Sequence, residues 1–235
     1  ITTIHSNAFS NSGLKDELTL PDSVKSIGDN SFLNCKGLTL VTLSKNSEFK
    51  SIRTGAFSGC SGLTSITIPG NVTSISQDGF NGDSGLTSIN FEKSSSPLSL
   101  GKNAFLNCTS LTSLSLTGRE FTVGESAFSG CNNLSTLIVG GEVTSIEKNA
   151  FSGDPIKSID FQEGTSVLSI GETAFKNIQI TNLNFSNRPV SLSYRAFRDC
   201  SNLQSVTFSE KGDNSIGTEC FSNCKKLSNV VFGSK

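Results

Sequence analysis

The sequence predicts a right-handed solenoid of about ten stacked coils, and three observations carry that prediction. A phenylalanine returns at intervals of 22 to 25 residues, as Phe9, Phe32, Phe57, Phe80, Phe105, Phe128, Phe151, Phe175, Phe197 and Phe221. Five positions before each stands an aliphatic residue: Ile4, Ile27, Ile52, Ile75, Leu100, Val123, Ile146, Ile170, Leu192 and Ile216. Downstream runs L-x-x-[IVL]-x-[ILVF], as in Leu63, Ile66 and Ile68, or Leu111, Leu114 and Leu116, or Leu203, Val206 and Phe208. A unit this short cannot bury its own apolar face, so the copies must stack to make a shared core.

One copy, AFSGCSGLTSITIPGNVTSI at 56–75, shows what each element should be. The A-F-x-x-C segment spans about one turn and predicts a short 3-10 or helical turn. The alternation of LTSITI predicts a half-buried strand with Ile66 and Ile68 inward and Ser65, Thr67 and Pro69 outward. Pro69-Gly70-Asn71 predicts a turn, and VTSI at 72–75 a second extended piece. Parallel strands stacked at roughly 4.8 Å per coil would give ten copies a length of about 45 Å. Spacing and pattern together mark a leucine-rich-repeat solenoid, β-rich within the α/β repeat class, with parallel strands on the concave face. No linker interrupts it, so residues 1–235 are expected to form one domain.

The phrase A-F-x-x-C-x-x-L-x-x-[IVL]-x-[ILF], followed by V-T-S-I-x-x-x-A-F, resembles the BspA-like subclass of leucine-rich repeats, over essentially the whole chain. That resemblance implies a surface-exposed or secreted protein of a host-associated microbe, with adhesion to host extracellular-matrix proteins as a typical activity. Some copies depart from the pattern. Lys15 stands where the first Leu of copy one should be, and Ile156 and Ile180 fill that slot in copies seven and eight. Longer loops at 44–50, 92–97 and 209–215 fall on one rim. They read chiefly as tolerated surface length, and otherwise as binding loops.

Composition narrows the function. The net charge is −1, from 19 basic and 20 acidic residues without a long run of either, so the basic stripe of a nucleic-acid binder is missing. Apolar runs are only a few residues long, so no membrane-inserted segment is expected. The chain opens inside the repeat at Ile1, contains no Met and closes on FGSK just after a strand. Both ends read as uncapped, and a piece of a longer array, without its signal or anchor, is expected.

Six cysteines, Cys35, Cys60, Cys108, Cys131, Cys200 and Cys224, sit three residues after the marker Phe, a slot filled elsewhere by Ser12, Asp83, Asp154 and Ile178. A slot shared by Cys, Ser and Asp suggests a small side chain at a turn, bonding to backbone N–H groups. The reading is buried free thiols. Cross-coil disulfides 35/60, 108/131 and 200/224 stay open on Cα distance, and zinc is disfavoured by the ligand spacing. Cys220, just before its Phe, reads as core. His5, the only histidine, has no phased nucleophile, and no phosphate loop or H-E-x-x-H occurs, so no enzyme, cofactor or metal is expected. Lys211-Gly212-Asp213 resembles an integrin-type tripeptide, and Asn71, Asn107, Asn133 and Asn184 begin N-x-[ST] triplets; both read as chance matches in such a chain.

The candidate binding face is the outward side of the L-x-x-L-x-L strands. Its residues are Ser65, Thr67, Ser88, Asn90, Ser113, Ser115, Thr136, Ser158, Asn182, Asn184, Ser205 and Thr207. These short, uncharged hydrogen-bonding groups lack the Trp, Tyr and Arg anchors of strong hot spots. The expected function is a non-catalytic protein- or glycan-binding module of a cell-surface or secreted protein, adhering to host extracellular-matrix or cell-surface molecules. The alternative is a structural spacer or self-assembling stalk that presents another domain. The chain is expected to be a monomer or to self-associate weakly.

Overall fold

In the computed structural model, residues 1–233 are described; the last two residues of the closing FGSK lie outside them. Those residues form twenty strands, two in each of ten coils. The longer strand of each coil, as in Ser65–Ile68, Ser113–Leu116 and Thr136–Val139, belongs to a front sheet. The shorter one, as in Ser51–Ile52, Ser74–Ile75 and Leu98–Leu100, belongs to a back sheet. Every pairing is parallel and joins like positions of adjacent coils, Ser65 to Ser88, Ser113 to Thr136 and Ser74 to Ser99 among them. The molecule is a leucine-rich-repeat solenoid, as its periodicity predicts.

The expected helical turn is replaced by another conformation. None of the described residues is helical, and the A-F-x-x-C segments are runs of turns. The residues two before and two after each marker Phe have positive φ in every coil, as at Gly55 (60°), Gly59 (72°), Asn103 (57°) and Asn107 (59°). A left-handed residue at every fourth place cannot continue a helix. Alternate N–H groups therefore point two ways. Ala56 and Ser58 donate within the turn, to Arg53 and Gly55, whereas Gly55, Phe57 and Gly59 donate to Gln77, Gly79 and Asn81 of the next coil. The third side of the coil is thus a ladder as well. Asn, Gly and Asp fill most of these left-handed places, since they tolerate that region best. Ser126, Thr173, Arg195 and Glu219 occupy others.

The three sides enclose one apolar cluster. Marker rings from Phe9 to Phe221 stack in a single column, with adjacent centroids 5.1–5.7 Å apart and planes within 12°. The aliphatic column beside it is buried from Ile27 to Leu192. Ile216 departs from it, 45% exposed, because no described strand covers it from beyond. Pro69 also departs from its expected outward position and is buried under the rim. In coil one Leu14, one residue before Lys15, packs against the core, as Ile156 and Ile180 do in their coils.

All seven cysteines are buried free thiols. Those of the turn column donate to the carbonyl of the marker Phe in the preceding coil: Cys35 to Phe9 at 3.1 Å, Cys60 to Phe32 at 3.3 Å and Cys224 to Phe197 at 3.2 Å. Burial pushes the Cys60, Cys108 and Cys131 thiols up, away from the reactive thiolate form.

Replacing Phe105, a fully buried ring in mid-column, with Ala should cost about 3–5 kcal/mol, read by urea unfolding. An unchanged midpoint would remove the ring column from the core. Conversely, Ser126→Gly should raise stability by about 1 kcal/mol by relieving a left-handed non-glycine residue.

Candidate binding face

The alternation of each front strand turns its aliphatic residues inward and its hydroxyls and amides outward. The register then gathers the predicted residues into columns. Ser65 and Ser88 are neighbours, as are Thr67 and Asn90. Ser113, Thr136 and Ser158 form one run, and Asn182 pairs with Ser205 as Asn184 does with Thr207. Most of these side chains are exposed; Ser65, Ser205 and Thr207 are half-buried. Ser205 Oγ donates to Asn182 Oδ1 at 2.7 Å, and Ser115 and Thr117 hydroxyls lie 3.1 Å apart. The column through Ser115 continues through Ile138 and Asp160, so the face is mixed at its centre.

Two shallow hollows mark the face near its ends. One, of about 240 Å³, is lined by Leu40, Thr42, Ser65, Thr67, Lys45 and Glu92. The other, of about 250 Å³, is lined by Ser186, Thr207, Lys211 and Val231. Each lies beside an ion pair that skips a coil, Lys45 to Glu92 at 3.0 Å and Lys211 to Glu163 at 3.0 Å. The Lys45 ammonium holds the Glu92 carboxyl below its ordinary value. Lys211 of the integrin-like tripeptide is therefore engaged by Glu163.

The rim beside this face contains residues that sequence reasoning missed. Arg119 and Arg188 are buried, although a charged residue in a loop reads as solvated. Arg188 donates from Nη1 to Gly140 at 3.0 Å and from Nη2 to Val143 at 2.8 Å and Ser166 at 3.2 Å. Arg119 donates to the carbonyls of Val72, Ser96 and Pro97. Asn71, in the same repeat phase, donates to Ser44, Asn46 and Phe49 carbonyls, so the side chain of this N-x-[ST] triplet is taken up by the fold. The phase is nine residues before the marker Phe, and the signal was visible there. Each of the loops 44–50, 92–97 and 162–167 is thereby held by one side chain from the following coil.

A second missed column lies on the back sheet. Ser51, Ser74, Ser99, Thr122, Ser145, Ser169, Ser191 and Ser215 succeed one another through eight paired strands. Some of these hydroxyls bond each other, Ser74 to Ser51 at 2.9 Å and Ser215 to Ser191 at 2.9 Å.

Comparison with known proteins agrees with this geometry. The family described as "BspA type Leucine rich repeat region (6 copies)" matches residues 2–135, 50–168 and 122–235. A solved leucine-rich repeat protein from Bacteroides ovatus is 26% identical at a TM-score of 0.72. That match covers 100% of this chain and 59% of the other, so the chain spans well under two thirds of that protein's length. The leucine-rich repeat protein of T. pallidum is 21% identical at a TM-score of 0.50, over 74% of this chain and 69% of that one, which shows the fold alone. No curated protein matches the chain.

Arg188→Met retains much of the side-chain volume and removes the guanidinium donor from three carbonyls, of which Gly140 keeps the Val143 N–H. It should cost about 2–4 kcal/mol in urea unfolding and speed proteolytic nicking within 162–167. Unchanged stability and nicking would mean that the loop orders itself.

Proposed function

The chain belongs to the BspA-type leucine-rich-repeat family, and on that premise we propose that it is a non-catalytic binding module whose front sheet holds a protein or glycan partner. The observation that carries this reading is the set of in-register, outward Ser, Thr and Asn columns on paired parallel strands. Such groups offer many donors and acceptors on a stiff support without a strong anchor, which suits weak, extended contact. Multiple copies on one surface would raise it by avidity. A net charge of −1 contributes little electrostatic steering. The surface or secreted location and the host extracellular-matrix partner rest on the family resemblance. The non-catalytic reading rests on the absence of a base phased against a nucleophile, His5 being exposed beside the first turn.

The test is binding of the purified chain to immobilised fibronectin, fibrinogen and a glycan panel. A variant with Ser65, Thr67, Ser113 and Ser115 all changed to Lys runs beside it. The expected result is saturable binding by the native chain, lost in a variant that melts as the native chain does. Retained binding by the variant would move the site off this face. No binding by the native chain at high micromolar concentration would support the spacer reading instead.

A further inference from the structure

The hydrogen-bonded ladder of the front sheet runs in blocks of four, three and three strands, interrupted after Ser88–Phe91 and after Ser158–Phe161. The back sheet has no interruption at either place. The two coils at which the front ladder stops are those of Phe80 and Phe151. These same two carry Asp83 and Asp154 in the slot that six other coils fill with cysteine. Both carboxyls are fully buried. Asp83 Oδ1 accepts the Cys60 N–H at 2.9 Å, and its Oδ2 has no partner. Asp154 lies against the N–H groups of Gly130 and Cys131, but neither of its oxygens completes a hydrogen bond.

The groups facing these carboxyls do not favour a charge. Asp83 sits between the thiols of Cys60 in the coil before and Cys108 in the coil after. Asp154 faces the Cys131 thiol in the coil before, and Ile178 fills the slot in the coil after. Among the described residues no Lys or Arg pairs with either, and a buried carboxylate without a cation is costly. In the cysteine coils this slot donates an S–H to the preceding marker carbonyl. The matching carbonyls here are those of Phe57 and Phe128, each already accepting one N–H and having a second lone pair. A protonated carboxyl has the O–H donor that this slot otherwise takes from a thiol.

We propose that Asp83 and Asp154 make the solenoid pH-responsive: as neutral acids they fasten coils four and seven to the coils before them, and on ionising they loosen those two seams, each of which adjoins a seam where the front ladder is already interrupted. The direction follows from burial, which pushes the Asp154 carboxyl up to about 8 and the Asp83 carboxyl well above its ordinary value. A folded value above the unfolded one gives stability that is complete below the ordinary carboxylate value and is lost as pH rises through about 8. The ion-paired Glu92 and Asp199, half-buried, and Glu219, exposed, shift downward and act at the acid end, outside this window.

The experiment is urea unfolding of the native chain and of the D83C/D154C double variant between about pH 5 and about pH 7.5, below the range in which the buried thiols would titrate on unfolding. The folding equilibrium constant of the native chain should fall on the order of a hundredfold or more across that range, while the double variant stays nearly flat. Parallel profiles would overturn the proposal. Should the cysteine variant not fold, D83N/D154N serves, its amides supplying donors without charge. Infrared spectra give a second reading. A carboxylic-acid C=O band should persist in the native chain at neutral pH and vanish in the double variant, and its absence from the native chain would also overturn the proposal.

Discussion

The whole structure depends on one translation, the step from a coil to the next. Parallel strands fix that step at roughly 4.8 Å through their hydrogen bonds. The marker rings must repeat at nearly the same distance, and phenylalanine can do so as a flat plate in an offset stack. Their centroids, 5.1–5.7 Å apart with planes nearly parallel, show ring column and ladder agreeing on one repeat. The alternating turns then close the third side with a ladder of their own, which joins neighbouring coils even where the front ladder is interrupted.

A constant step does not require a constant length. Extra residues leave the coil at the rim between front and back sheets, where a longer loop disturbs neither ladder's register. Such loops carry buried carbonyls that need donors, and the following coil provides them through Asn71, Arg119 or Arg188. Arginine suits the role because its planar fork reaches several carbonyls at once. The rim beside the candidate face is thereby ordered from within the fold.

The columns were legible because stacking forces identical environments onto residues one period apart, and the Phe, Ile and Leu positions therefore repeat. The register that gathers Ser113, Thr136 and Ser158 followed from the same phase. The turn was misread as helical because its length was weighed and its flanks were not. Asn30 and Asn34, or Gly55 and Gly59, bracket the marker Phe with residues that favour positive φ. Arg119 and Arg188 stand singly in loops, where a charged side chain ordinarily faces solvent, and only the phase they share with Asn71 marks them. The hydroxyl column of the back sheet lies on strands of mostly two or three residues, too short for an alternation to show in the sequence. What the front columns bind lies in the chemistry of a partner, which no repeat phase encodes.

The turn ladder has an electrical consequence. In each coil the peptide units before Phe57 or its equivalents send N–H toward the following coil and C=O toward the preceding one, and the sense never reverses from Asn7 to Asp199. Neighbouring peptides of a β-strand alternate and largely cancel, whereas these lie head to tail along the solenoid axis. Their dipoles add as those of a helix do, with the opposite sense relative to chain direction. A chain whose formal charges nearly cancel is thus polarised from one coil to the next, its positive pole advancing with the sequence.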